Sequence, residues 1–326
     1  MNDPPATADG AAPALLAIHP GALGDVVLAL RVLASLKGCF AVVDLIAQCH
    51  LGRLAESLGE AQCPLPVESA LFATLFTDRP DDRLKALLQR YDTVLVFSVS
   101  GHLARSVADC TDARVVAVAP RPPARRRIHV QDHLFQQLAD RGLALPPVPH
   151  RRCRRALSAP GRLLIHPGAS SARKRLAPSA AVAAARLLAE DGWRPEYVLG
   201  PSETDLAPVI AGLDAEAAIE TITDIGRLRR RLEAADALVG NDSGVSHLAA
   251  FLGLPTVAVF GPTDPRGWNP EDPRHVALTR QVPCSPCDLT HCPVPGHPCL
   301  DELPPTAVAE AVAMLLARTA PAKETP

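Results

Sequence analysis

Two segments of this chain open in almost the same residues. Leu15-Leu-Ala-Ile-His-Pro-Gly-Ala22 and Leu163-Leu-Ile-His-Pro-Gly-Ala169 are each an apolar run that ends in His-Pro-Gly-Ala. Such a run reads as a buried strand entering a loop where glycine lets the backbone come close to a ligand. The chain has 326 residues, more than one core usually organises, so two like openings predict two domains of similar design.

The pattern between the openings supports that division. Strand-like runs at 15–19, 41–47, 93–98 and 115–119 alternate with helical stretches such as 25–37, closed by Gly38. In the second half, strands at 163–166, 196–199, 237–239 and 256–260 alternate with helices at 178–191, 223–234 and 243–252, and a last helix spans 305–318. This rhythm predicts an α/β fold with doubly wound parallel sheets covered on both faces. A Pro- and Arg-rich passage at 145–161 marks the junction, giving expected domains of 13–157 and 158–318 with disordered tails at 1–12 and 319–326. Ligands of such sheets bind outside the carboxyl ends of the strands, so a cleft is expected there.

Charge and hydropathy narrow the class. Lys plus Arg number 33 against 35 for Asp plus Glu, which argues against a general nucleic-acid binder. No apolar run approaches membrane-spanning length, and Met1-Asn-Asp-Pro-Pro lacks the basic start and apolar core of a signal peptide. A cytoplasmic protein is the expectation.

The run from Val239 to Asp264 carries most of the chemistry, because it reads as strand, polar turn, helix and strand without slack. Asp242 is placed to cap the helix, which would leave the amides of Ser243, Gly244 and Val245 pointing at a bound phosphate. Ser243 and His247 are four apart, so they share a helix face. An ordinary capped helix is the competing reading. The loop Gly21-Ala-Leu-Gly-Asp25 lacks a complete dinucleotide fingerprint, and no P-loop occurs. Asp25 is therefore either a helix cap or a carboxylate able to take a proton from a hydroxyl. Ala169-Ser-Ser-Ala-Arg-Lys-Arg175 is either a solvated loop or a cationic cradle, in which Lys174 and a neighbouring Arg neutralise a diphosphate leaving group. No Asp-x-Asp pair is present to hold a divalent metal on a nucleotide. Basic clusters at Arg121, Arg125-Arg-Arg127 and Arg151-Arg-Cys-Arg-Arg155 read as solvated loops or as docking points for an anionic acceptor or phosphorylated lipid surface.

Of the nine cysteines, Cys39, Cys49, Cys63, Cys110 and Cys153 are scattered. Cys284-Ser-Pro-Cys287, Cys292 and Cys299 cluster in a Pro-rich stretch with little apolar content to fold it. A structural metal or a disulfide would staple such a segment, and reduced thiols are the alternative. The spacing departs from a standard zinc ribbon.

Together, Gly24-Asp25, His166-Pro-Gly with Lys174-Arg175, Asn241-Asp-Ser-Gly-x-x-His247 and Phe260-Gly-Pro-Thr-Asp264 resemble glycosyltransferase family 9, the lipopolysaccharide heptosyltransferases. The resemblance spans about 15–318. It implies a GT-B fold of two facing Rossmann-like domains and an inverting, metal-independent sugar transfer without a required cofactor. The implied donor is a nucleotide sugar, ADP-heptose above all, and the implied acceptor an anionic glycolipid of the lipopolysaccharide core, met by peripheral contact at the inner membrane. By the same resemblance Asp25 is the catalytic base and Lys174 binds the donor phosphates. His166, Gly168, Arg175, Asp242, Ser243, Gly244, His247 and Thr263 frame the donor. Cys284-x-x-Cys and the later cysteines resemble a segment found in a subset of the family. The chain departs from the family at Leu30-Arg31, where Leu-Pro is common, and at Leu176, where a Trp often stands. A GT-B nucleotide-sugar epimerase or hydrolase and a non-catalytic nucleotide-sugar binder are the competing functions, and acceptor-dependent product formation separates them.

Overall fold

The computed structural model describes residues 13–77, 79–123, 126–143, 145, 159–270, 272, 274–287 and 292–319. The chain divides into two compact units, Met1–Pro149 and His150–Pro326. The expected tail 1–12, residues 320–326 of the other expected tail, and most of the expected junction at 145–161 with Cys153 and the Arg151–Arg155 cluster lie outside the described residues, as does Arg125, while Thr319, expected to begin the second tail, ends the last helix.

The first unit is built on five parallel strands, β1 (Ala14–Ile18), β2 (Val42–Ala47), β3 (Pro64–Pro66), β4 (Thr93–Phe97) and β5 (Arg114–Val118), in the order β3-β2-β1-β4-β5. The second has six parallel strands, β6 (Arg162–His166), β7 (Arg194–Leu199), β8 (Ile219–Thr221), β9 (Ala237–Asn241), β10 (Thr256–Phe260) and β11 (His275–Thr279), in the order β11-β10-β9-β6-β7-β8. Every residue of β4, β9 and β10 is buried, as expected when helices cover both faces of a parallel sheet. Helix Leu23–Leu36 presses Val26, Leu30 and Leu33 into the first core. In the second, Val308, Val312 and Leu315 of helix Pro305–Thr319 join Ala181 and Leu188 of helix Pro178–Glu190, which starts with the expected Pro at its first position. Among the described residues no helix is long and apolar enough to cross a membrane.

The predicted elements appear with shifted ends, and several short ones are additions. The first helix begins at Leu23, ahead of the expected 25, and β9 runs on to Asn241. Strands β3 and β8 have three residues each, too few to show an alternation, and β11 is an edge strand whose burial fades along its length. In each sheet the first strand has neighbours on both sides: β1 lies between β2 and β4, and β6 between β7 and β9. The chain reverses its winding there, so the loops after β1 and β4, and those after β6 and β9, diverge and leave a crevice at the strand ends.

His19 directly follows β1. It is 2 % exposed, accepts a hydrogen bond from the Gly21 amide at its Nδ1 (3.2 Å), and packs on the Phe97 ring with centroids 4.9 Å apart. Burial lowers its pKa from 6.5 to about 4, against a smaller opposing pull from Asp25. The unfolded chain therefore takes up this proton first on acidification. The stabilisation is complete above pH 6.5 and fades toward pH 4, a loss on the order of 3 kcal/mol. Urea unfolding across this range should show that slope for the native protein and a shallower one for His19→Asn; parallel curves would mean that His19 is not buried neutral.

Candidate active site

The crevice of the second unit is organised by the last residue of β9. Asn241 is 1 % exposed; its Oδ1 accepts from the Leu176 amide (3.0 Å), and its Nδ2 donates to the carbonyls of Pro167 (2.8 Å) and Gly168 (3.2 Å). The loop leaving β6 is thus held at both ends. Between those ends stands Lys174, whose Nζ meets Asp242 Oδ2 at 2.6 Å, while Asp242 Oδ1 lies 3.9 Å from His247 Nε2. Asp242, Ser243 and His247 are all buried.

Asp242 is not the helix cap. Ser243 takes that position, its hydroxyl accepting from the Ser246 amide at 3.4 Å, because the strand continues through Asn241 and the helix begins at Gly244. Asp242 is left to face the cationic loop. The Gly244 and Val245 amides open the helix and have no acceptor within it, so helix start and ammonium are each groups that can hold an anion. Thr263, beyond β10, buries a hydroxyl that has no hydrogen-bond partner among the described residues.

Beneath the loop lies a group that sequence reasoning missed. Glu203 is 7 % exposed, its Oε2 accepts from the Gly200 amide at 2.8 Å, and Oε1 is 4.0 Å from Arg175 Nη2. Arg175 also reaches Asp205 (3.6 Å) and the carbonyls of Ala169 and Ser202, both at 3.4 Å. His166, 4 % exposed, points into the sheet and donates from Nδ1 to the Val198 carbonyl (3.0 Å); burial lowers its pKa. Arg175, Glu203 and His166 therefore form the floor of the loop, with Lys174 standing above it. Glu203 follows a plain Gly-Pro-Ser turn, so only the fold reveals it.

In the first unit Asp25 is not a cap either. Ala22 holds the cap position without a side-chain bond, and Asp25 sits in the first helical turn. Its carboxylate accepts from Arg121 Nε (3.1 Å) and Nη2 (2.8 Å), a partner offered by sequence only as part of a basic cluster. Arg126 is engaged on Gln136.

The clustered cysteines line one small pocket with Arg173, Pro262 and His297. None of the described cysteines is in a disulfide. Cys299 is buried, and burial first, then the neighbouring Cys284, Cys292 and Cys287, pushes its thiol up. Among the described residues no three His, Cys, Asp or Glu side chains are grouped as metal ligands. The segment is anchored on the chain leaving β10, with the Cys287 amide bonded to the Pro262 carbonyl (2.9 Å) and the Ser285 hydroxyl to that of Gly261.

Residues 137–297 match the sequence model of glycosyltransferase family 9 (heptosyltransferase). Lipooligosaccharide heptosyltransferase 2 of Campylobacter jejuni is 36 % identical over 97 residues, covering 29 % of this chain and 30 % of that protein. The chain spans about three tenths of the length of the curated relatives it matches. Whole-chain likeness comes from solved structures. A family 9 glycosyl transferase from Veillonella parvula superposes with a TM-score of 0.74 at 15 % identity, covering 94 % of this chain and 97 % of its own. The ADP-heptose lipopolysaccharide heptosyltransferase II of E. coli gives 0.70 at 20 %, covering 93 % and 98 %. The fold is the GT-B type that the family resemblance implied.

Gly168 offers a direct check on the β6 loop. A Cβ there would fall 2.5 Å from Glu203 Cδ, whereas one at Gly212 meets nothing within 4 Å. Gly168→Ala should lower stability by about 1–3 kcal/mol in denaturant unfolding, and Gly212→Ala should be neutral or stabilising; equal effects at both positions would mean that the loop gives way freely.

Proposed function

Because the chain carries the signature of glycosyltransferase family 9 over 137–297, we propose that it is an inverting glycosyltransferase that moves heptose from ADP-heptose to a hydroxyl of the lipopolysaccharide core. One observation carries this reading: Lys174, Asp242 and the helix start at Gly244 converge where β6 and β9 part, and the residues that build this anion site lie inside the matched segment.

In the proposed reaction, Asp25 takes the proton of the acceptor hydroxyl while the acceptor oxygen attacks the anomeric carbon from the face opposite the diphosphate. The bond from that carbon to the diphosphate oxygen breaks, so the configuration inverts. Lys174 and the amides of Gly244 and Val245 hold the charge that grows on the departing ADP. Asp242 keeps Lys174 in place but uses only one of its three donor hydrogens. Arg175, His166 and Gly168 shape the loop. Thr263, Ser243 and His247 lie on the donor side, where the buried Thr263 hydroxyl gains a partner in the sugar or phosphate. The transfer draws on side-chain cations and helix dipole, in keeping with a chain that lacks an Asp-x-Asp pair. A lipid-linked acceptor places the enzyme at the inner face of the inner membrane as a peripheral protein. Cys284, Cys287, Cys292 and Cys299 offer four thiols around one pocket, the donor set a structural zinc or iron prefers once they are drawn together.

Thermal shift with ADP-heptose, ADP-glucose, UDP-glucose and GDP-mannose should single out the ADP sugar. Lys174→Ala should weaken that binding roughly ten- to hundredfold. Asp25→Asn should keep donor binding but lower turnover about 10²- to 10⁴-fold; an Asp25→Asn enzyme at the native rate refutes the base. Elemental analysis should find about one metal per chain, lost in Cys284→Ser with Cys287→Ser, whereas metal-free native protein with four titratable thiols rules the metal out.

A further inference from the structure

Arg121 stands just beyond β5 and holds Asp25 across 96 positions of chain, in a side-on fork that puts one N–H on each carboxylate oxygen. The carboxylate is largely covered, at 14 % exposure, while the Arg121 side chain is 59 % exposed. The segment that carries the arginine is firmly built. Gln137 accepts from the Ala119 amide and donates to the Ala119 carbonyl, each at 2.9 Å. Gln137 belongs to helix Val130–Ala139, which packs on helix Leu23–Leu36, and Asp25 lies in the first turn of the latter. Asp25 thus rides on one helix, and the segment that carries Arg121 is tied, through Ala119, to the helix packed against it.

Stability does not account for this arrangement. A mostly exposed guanidinium contributes little to folding, and the helix start already favours a negative charge at Asp25. The fork supplies geometry instead. It fixes the plane of the carboxylate and occupies one acceptor site on each oxygen, leaving the remaining lone pairs open to a hydroxyl from a restricted set of directions.

We propose that Arg121 is the positioning residue of the general base: its grip on Asp25 aims the open carboxylate lone pairs at the acceptor hydroxyl. The inference rests on the reading of Asp25 as base. The hydroxyl proton moves to an Asp25 oxygen as the acceptor oxygen bonds to the anomeric carbon and the diphosphate leaves with the bonding pair. Arg121 remains protonated throughout and transfers nothing.

Steady-state kinetics of Arg121→Gln, Arg121→Lys, Asp25→Asn and the Arg121→Gln/Asp25→Asn double variant test this, with circular dichroism to verify folding. Arg121→Gln should lower kcat roughly 10- to 100-fold, the loss that misplacing a reacting group brings, with KM for donor and acceptor unchanged. Arg121→Lys should recover part of the rate, and the double variant should be no slower than Asp25→Asn alone. A raised acceptor KM with kcat preserved would overturn the proposal, because the guanidinium would then bind the acceptor. Native kinetics in Arg121→Gln beside a slow Asp25→Asn would overturn the positioning role and leave the base intact. A native enzyme that binds the ADP sugar yet transfers to no acceptor would remove the base reading, and this proposal with it.

Discussion

The buried amide of Asn241 is the tie on which the second unit's crevice depends. One side chain satisfies the amide of Leu176 and the carbonyls of Pro167 and Gly168, so it closes the whole loop after β6 onto the end of β9. Its own carbonyl accepts from the Ser246 hydroxyl at 2.7 Å, which locks the start of the following helix to the same residue. Lys174 faces Asp242 because loop and helix are fixed to one point. Without that amide three backbone groups would be buried unpaired, each costing about 1–3 kcal/mol, and the loop would open before the sheet did.

The two His-Pro-Gly-Ala loops share their letters and diverge in chemistry. In the first, His19 accepts from its own loop at Gly21, and the chain turns at once into a helix whose first turn carries Asp25. In the second, His166 donates to the neighbouring strand at Val198, and the chain delays its helix until Pro178, spending the interval on Arg173, Lys174 and Arg175. A short connection thus presents a carboxylate, and a long one presents cations. A carboxylate is a group that can accept a proton, and a run of cations one that can hold an anion.

Most of this architecture was legible in the residues. Continuous apolar runs marked the central strands because parallel strands are buried on both faces. Three-residue β3 and β8 left no periodicity to read. The site was legible as motifs but not as partners. Asp242 and Asp25 were both open to a capping reading, since a carboxylate beside a helix start caps in the absence of a cation. Lys174 and Arg121, 68 and 96 positions away along the chain, supply those cations. Glu203 had no signal at all, because its significance lies in Gly168 passing over it.

In the free protein each principal charge is already paired inside its own unit, Asp25 with Arg121 and Lys174 with Asp242. Pairing orders the side chains in advance, so a ligand does not bear the entropy of fixing them. The two pairs differ in cover: Lys174 and Asp242 are 23 % and 7 % exposed, Arg121 and Asp25 59 % and 14 %. Separating the more buried pair would strand Asp242 without its counter-ion, a strongly destabilising change. Lys174 still has two donor hydrogens beyond the one it gives Asp242. An anion meeting this ammonium can therefore join the pair rather than displace it, with Asp242 still setting the direction of the ammonium.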